Sequence, residues 1–263
     1  MPVLCARGIR AAGHPVACVG LSGQYEPQLP ALCDQFARAA VVRLGQWIRL
    51  LRRWGVHDAI MVGRVSKTKM YDPLRVFRQL PDFRAARLWY RTLRHDRRSD
   101  ALLVGVADEL ARAGITLIDT ARYIPEHMAH QGIMTRTRPT SAQLADIEFG
   151  LPILRQIGNL DIGQAIAVKE REVIAVEAME GTDAMIRRAG ELCRSGKWVL
   201  LKIAKPRQDM RFDVPTIGLD TIKMLKQSRG SCLAVEAERS ILLNKPQVLE
   251  AADAAGIAVV GIG

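Results

Sequence analysis

Short apolar runs alternate with helical periodicity through the first half of the chain. Residues 15–20, 39–44, 58–62 and 115–119 read as strands, each a brief run of apolar and β-branched residues bounded by turn formers. Residues 45–54 and 101–113 read as helices, the second with an apolar stripe at 102, 103, 106 and 110. Strands and helices in alternation predict a parallel α/β layer.

The pattern changes twice. Residues 83–98 interleave Arg84, Arg87, Arg91, Arg94, Arg97 and Arg98 with Leu88, Trp89, Tyr90 and Leu93, which makes a basic amphipathic helix. Two readings stand: contact with an anionic membrane surface, or an apolar stripe packed on the core with solvated arginines. Near residues 131–139, Gly132 and a Thr-Arg-Thr-Arg-Pro run read as a linker. This divides the chain into an N-terminal domain, 1–132, a linker, 133–139, and a C-terminal domain, 140–263. Beyond the linker, Thr140 with Gln143 forms a capping box, and the helix that follows is expected to break before Pro152. Residues 164–169 and 172–177 predict a hairpin. Strands are expected at 197–203, 233–236, 240–243 and 257–260, with a terminal helix at 246–255, so the second domain is mixed α+β.

Composition narrows the class. With 263 residues and 49% apolar content the chain sustains a full core. No apolar run reaches spanning length, and the first fifteen residues lack the apolar centre of a signal peptide. The five cysteines are scattered, with no C-x-x-C, and read as reduced cytoplasmic thiols. His127 and His130 form an H-x-x-H pair without neighbouring cysteine or histidine, too few donors for a zinc site. The net charge of +11 favours an anionic partner. Nucleic acid is disfavoured: aromatic residues are only 5%, poor for base stacking, and no DNA- or RNA-binding motif is present.

Four segments carry candidate chemistry. Residues 202–218 place Lys202, Lys205, Arg207 and Arg211 with Asp209 and Asp213 after an apolar strand, between Pro206 and Pro215. Cations of this density suit phosphate, and the acids suit a metal or a water; pairing of the two aspartates with Arg207 and Arg211 as a structural network is the alternative. Residues 176–188 end a strand in Glu177 and Glu180, turn at Gly181 and start a helix at Thr182 or Asp183. A helix N-terminus is an anion site, whereas routine capping would account for Thr182 and Asp183 but not for the two glutamates. Asp161-Ile-Gly-Gln164 reads as a turn before a strand. Arg64 and Lys67 follow a predicted strand, where ligands sit in open α/β sheets.

Taken together, Asp161-Ile-Gly-Gln164, Ala175-Val-Glu-Ala-Met-Glu-Gly-Thr-Asp-Ala-Met-Ile186, Lys205-Pro-Arg-Gln-Asp-Met-Arg-Phe-Asp-Val-Pro-Thr-Ile-Gly218 and Ala252-Asp-x-x-Gly-Ile257 resemble the LpxI-type UDP-2,3-diacylglucosamine pyrophosphatase family of lipid A synthesis. Leu44-Gly-Gln46, Val62-Gly-Arg64 and Asp100-Ala-Leu-Leu103 extend the resemblance over nearly the whole chain. It implies a Rossmann-like N-terminal domain, a mixed C-terminal domain, hydrolysis of a diphosphate to UMP and 2,3-diacylglucosamine 1-phosphate, a divalent metal such as Mg2+, and a homodimer. On that basis Asp209 and Asp213 are expected as metal ligands or water-orienting base. Lys205 and Arg211 are expected to clamp the diphosphate, with Gln164, Thr182, Arg64, Glu177, Glu180 and Asp183 as further substrate contacts. The metal falls either on Asp209 and Asp213 or on the 177–183 group. The family begins with a strand and glycine-rich loop ending in Leu-Pro, and this chain starts at that point, so its first strand is expected to be missing. A non-catalytic nucleotide-sugar or lipid-binding protein is the competing function. The lipid-linked substrate and the net charge together imply a cytoplasmic enzyme peripheral to an anionic membrane face.

Overall fold

A computed structural model describes residues 1–22, 24–63, 81–88, 90, 99–206, 208–211 and 213–263. Arg64, Lys67, Arg207 and most of the basic stretch at 83–98 lie outside the described residues. The chain divides into two compact units, Met1–Ile124 and Pro125–Gly263.

The first unit contains α1 (Pro2–Ala11), β1 (Ala17–Leu21), β2 (Gln35–Ala39), α2 (Leu44–Arg53), β3 (Asp58–Ala59), α3 (Phe83–Leu88), α4 (Ser99–Arg112) and β4 (Thr116–Leu117). β1 pairs with β2 and β3 with β4, both in parallel, as the alternating pattern predicts. Val3 and Ala6 of α1 bury against Val16 and Leu29. The strand expected at 39–44 is displaced. The paired strand ends at Ala39, and Leu44 opens α2, where it is buried with Ile48 one turn later. Trp47 Nε1 donates to the Ala40 carbonyl at 2.9 Å and pins the turn between them. A short apolar run serves a strand or a helix entrance equally, and the parallel register with β1 decides it.

The second unit contains β5 (Gly132–Ile133), α5 (Ser141–Asn159), β6 (Ala165–Lys169), β7 (Glu172–Val176), α6 (Thr182–Leu192), β8 (Trp198–Lys202), β9 (Thr216–Ile217), α7 (Leu219–Gln227), β10 (Gly230–Glu236), β11 (Ile241–Leu242), α8 (Lys245–Ala254) and β12 (Ala258–Ile262). Six strands form one sheet in the order β5-β12-β10-β8-β6-β7. β8, β10 and β12 are mutually parallel. β6 runs antiparallel to both β8 and β7, so β7 points the same way as β8. Every residue of β8 and of β12 is buried, the mark of strands covered on both faces.

Alternation along these strands separates two cores. Trp198, Leu200, Leu233 and Val259 face one side, with Met185 and Ile186 of α6, Ile222 of α7 and Val248 of α8. Val199, Leu201, Ala234 and Val260 face the other, with Ile147 and Leu154 of α5. Gly150 lets α5 lie close to the sheet: a β-carbon there would come within 2.9 Å of Val168 Cγ2. The second unit is therefore three layers deep, one helix, one sheet, three helices.

Two expectations are corrected here. α5 does not break before Pro152 but runs through it to Asn159. Pro152 and Glu148, whose carbonyl loses its helical donor, are both exposed, so the lost bond lies on the face of α5 turned from the sheet. The capping box is present: Thr140 Oγ1 accepts from the Gln143 amide at 3.2 Å and Gln143 Oε1 accepts from the Thr140 amide at 2.8 Å. The stretch read as a linker is built into the second unit. Gly132 and Ile133 pair with β12. Thr135 Oγ1 accepts from the Val259 amide at 2.9 Å, and Asp253 Oδ1 accepts from the Thr137 amide at 2.8 Å. That amide, first among the contacts it makes, holds the Asp253 carboxyl below its ordinary range.

Two substitutions test this packing by urea denaturation. Leu200→Ala, which removes a side chain with 0% exposure, is expected to destabilise by about 2–5 kcal/mol. Pro152→Ala is expected to leave stability unchanged or raise it, because it restores a helical donor on an exposed face; a loss above about 1 kcal/mol would show that the proline itself orients α5.

Candidate active site at the carboxyl ends of the second sheet

Glu177 follows β7, Lys202 ends β8 and Glu236 ends β10, so three parallel strands deliver a charged residue to one edge of the sheet. That edge is where open α/β sheets bind ligands. The loops that leave it are 158–164, 177–181 and 203–215.

The loops are tied together by side chains. Lys202 and Glu177 are 8% and 6% exposed, a degree of burial that ionised groups tolerate only when partnered. Lys202 Nζ donates to Thr182 Oγ1 at 3.1 Å, and Thr182 Oγ1 donates to Glu177 Oε1 at 2.8 Å. The Gln164 amide approaches Glu177 Oε2 at 3.4 Å, and the Ile203 amide donates to the Gln164 carbonyl at 3.0 Å. Gly163 lies so close to the Glu177 backbone that an added β-carbon would clash with its carbonyl oxygen. Among the described residues the buried Gln164 Oε1 has no hydrogen-bond partner.

The 203–215 loop has its own framework. Lys205 Nζ pairs with Asp161 Oδ1 at 2.6 Å, with Asp161 in a left-handed backbone conformation at φ 59°. Gln208 bridges the loop: its Oε1 accepts from the Lys205 amide at 2.7 Å and its Nε2 donates to Asp213 Oδ2 at 2.6 Å. The Asp213 amide donates to the Asp209 carbonyl at 3.0 Å. Arg211 forks onto Asp209, Nε at 3.0 and 3.1 Å from the two oxygens and Nη2 at 2.6 Å from Oδ2. This hydrogen-bonded guanidinium, more than any other contact, holds the Asp209 carboxyl below its usual range, so Asp209 is ionised at neutral pH. The Ala204 amide donates to Glu236 Oε2 at 2.9 Å, which anchors the start of the loop to β10.

The sequence-predicted residues fall into distinct groups. Gln164, Glu177 and Thr182 meet directly. Lys205, Asp209, Arg211 and Asp213 share one loop, with Arg211 and Asp209 engaged with each other. Glu180 pairs with Arg188 of α6, and its own backbone amide and that arginine hold its carboxyl low. Asp183 is exposed in the first turn of α6. Thr182 is not the cap of α6: Gly181 is, at φ 84°, and the threonine hydroxyl is turned to Glu177 and Lys202 instead. Asp161, Gln208 and Glu236 are participants that sequence reasoning did not assign, and Lys202, counted there only among the phosphate-suited cations, turns inward to Thr182 instead. Lys202 was visible as the last residue of a fully apolar strand, a position where a charge demands a partner; the others have no local signal.

A divalent cation is tested against these donors. Among the described residues no group of three or more His, Cys, Asp or Glu side chains is placed to hold a metal. The donors therefore do not form an all-protein cage. They do suit a hard cation that brings its own oxygens, since magnesium is commonly held by one or two carboxylates together with substrate phosphates. His127 and His130 point to separate partners: the first accepts from the Lys245 amide at 3.3 Å, and Nδ1 of the second lies 3.1 Å from the Gln131 carbonyl.

The family model described as the LpxI N-terminal domain matches residues 1–127, and that described as the LpxI C-terminal domain matches residues 130–260. A relative from Caulobacter vibrioides (strain ATCC 19089 / CIP 103742 / CB 15), the UDP-2,3-diacylglucosamine pyrophosphatase LpxI, is 32% identical over 272 residues, an alignment that covers 100% of this chain and 94% of the relative. With both domains matched in order and a relative aligned end to end, the chain belongs to the LpxI family.

Proposed function

We propose that this protein hydrolyses the diphosphate bond of UDP-2,3-diacylglucosamine, releasing UMP and 2,3-diacylglucosamine 1-phosphate for lipid A biosynthesis. The observation that carries the reading is the end-to-end likeness to a relative of that name. The charged loops at the carboxyl edge of the second sheet supply chemistry that suits it.

Hydrolysis of a phosphoanhydride demands stabilisation of charge on the equatorial oxygens and an aligned water. In this proposal Lys205 and Arg211 bind the diphosphate oxygens, with Arg211 exchanging Asp209 for phosphate as its bidentate partner. Asp213, held at Oδ2 by Gln208, orients the attacking water and takes its proton on a carboxylate oxygen. Gln164 offers its Oε1, which has no partner among the described residues, to a donor on the substrate. Asp209 and Asp213 are the carboxylates that would hold Mg2+ beside the phosphates, and the ion would supply Lewis-acid neutralisation of the departing phosphate charge. The acyl chains put the substrate at a membrane, and the net charge of +11 suits a cytoplasmic enzyme, a homodimer in this reading, that associates peripherally with anionic lipid. No helix among the described residues is long and apolar enough to cross a membrane.

Two measurements follow. UMP release from UDP-2,3-diacylglucosamine is expected to fall by about 10²–10⁴ in Asp213→Ala, the span of a lost general base, and also to fall in Asp209→Ala, with both variants unfolding like the wild type. Full UMP release by both would remove these residues from the mechanism. Sedimentation with phosphatidylglycerol-containing vesicles is expected to weaken between low salt and about 0.5 M salt, where the Debye length drops below roughly 5 Å; salt-independent binding would contradict the electrostatic attachment.

A further inference from the structure

The buried contact from Glu177 through Thr182 to Lys202 has a chemistry unlike that of the exposed pairs around it. Thr182 has one hydroxyl hydrogen and gives it to Glu177 Oε1 at 2.8 Å. The lone pairs of the same oxygen receive Lys202 Nζ at 3.1 Å. The hydroxyl is thus polarised in one direction, carboxylate on the hydrogen and ammonium on the oxygen, and both charges are more than nine-tenths buried. Charge-assisted hydrogen bonds are the stronger kind, and a low-dielectric setting strengthens them further.

The position of the three residues matters as much as their burial. Glu177 is the residue after β7, Thr182 is the first of α6, and Lys202 is the last of β8. β7 and β8 are not neighbours in the sheet, because β6 lies between them. The side-chain contact therefore spans β6 at its N-terminal end, where the Glu177 amide donates to the Ala165 carbonyl at 2.9 Å and the Ile203 amide to the Gln164 carbonyl at 3.0 Å. Lys202 is followed directly by the 203–215 loop that carries Lys205, Asp209, Arg211 and Asp213.

We propose that Glu177 and Thr182 are positioning residues that clamp Lys202 and so set the departure of the loop bearing the diphosphate-binding and water-orienting side chains. In this assignment neither Glu177 nor Thr182 touches the substrate or a metal. The proposal rests on the diphosphatase reading for its kinetic arm only. Small displacements of reacting groups are costly to turnover, so a loosened clamp lowers kcat, and because Lys205 and Arg211 ride on the same loop it can raise KM as well.

The test compares Thr182→Val, which is close to isosteric but has no hydroxyl, with Thr182→Ser, which keeps it, and with Glu177→Gln. Hydrogen–deuterium exchange of the full chain without substrate reads the clamp itself. Amides of residues 203–213 are expected to exchange at least tenfold faster in Thr182→Val and Glu177→Gln, and within threefold of wild type in Thr182→Ser. Steady-state UMP release then reads the consequence: kcat at least tenfold lower in Thr182→Val, with or without a rise in KM, and near wild type in Thr182→Ser. Unchanged loop exchange in Thr182→Val and Glu177→Gln would overturn the proposal, as would a raised KM with kcat preserved, which would make Thr182 a substrate contact. If the wild type forms no UMP, the diphosphatase reading fails and the exchange arm still decides the clamp.

Discussion

A fully buried parallel strand that ends in a lysine constrains the rest of the second unit. Trp198 to Leu201 of β8 fill both cores of the three-layer unit, and the next side chain, still only 8% exposed, is a cation. The strand cannot shift by one residue, since a slip would exchange the contents of the two cores and drive the ammonium into one of them. The end of β8 is thereby pinned, and hydrogen bonds from Lys202 Nζ to Thr182 Oγ1 and from the Ile203 amide to the Gln164 carbonyl hold it there.

From that pinned end the site is built as a set of short polar ties, some within one loop and some between segments distant in sequence. Asp161 meets Lys205, Glu177 meets Thr182, Gln208 meets Asp213 and Glu236 meets the Ala204 amide. Few of these pairs are energetically large alone, because the outer ones are partly exposed and screened. Their effect is geometric: cations and carboxylates are held at one edge of a rigid sheet, in numbers suited to a ligand that carries several negative oxygens. Arg211 and Asp209 illustrate the arrangement, since a guanidinium fork that fits a carboxylate fits a phosphate equally well.

Much of this was legible in the sequence. The parallel pattern, the hairpin of β6 and β7, the capping box at Thr140 and the strand–loop junction at 202 follow from local rules, and the density of charge at 205–213 marked the loop as a candidate site. What escaped has a common cause, namely tertiary partners. The parallel register with β1 moved the expected strand at 39–44 back to Gln35–Ala39. The exposure of Pro152 spared α5 from breaking. Residues 133–139 read as a linker until β12 and Asp253 are seen to bind that stretch. Asp161 and Glu236 reach loop residues 44 and 32 positions away, separations at which no local pattern carries information. Thr182 looked like a cap because threonine commonly is one, yet Gly181 takes that place and frees the hydroxyl for the buried pair.

The central claim is that this edge of the sheet carries out hydrolysis of a lipid-linked nucleotide diphosphate. The most direct measurement is the product stoichiometry when the purified wild-type chain is incubated with UDP-2,3-diacylglucosamine, with and without magnesium. The account predicts UMP and 2,3-diacylglucosamine 1-phosphate in equal amounts, formed in a magnesium-dependent reaction. Tight binding of the substrate with no UMP at any magnesium concentration would contradict it and would identify the chain as a binding protein.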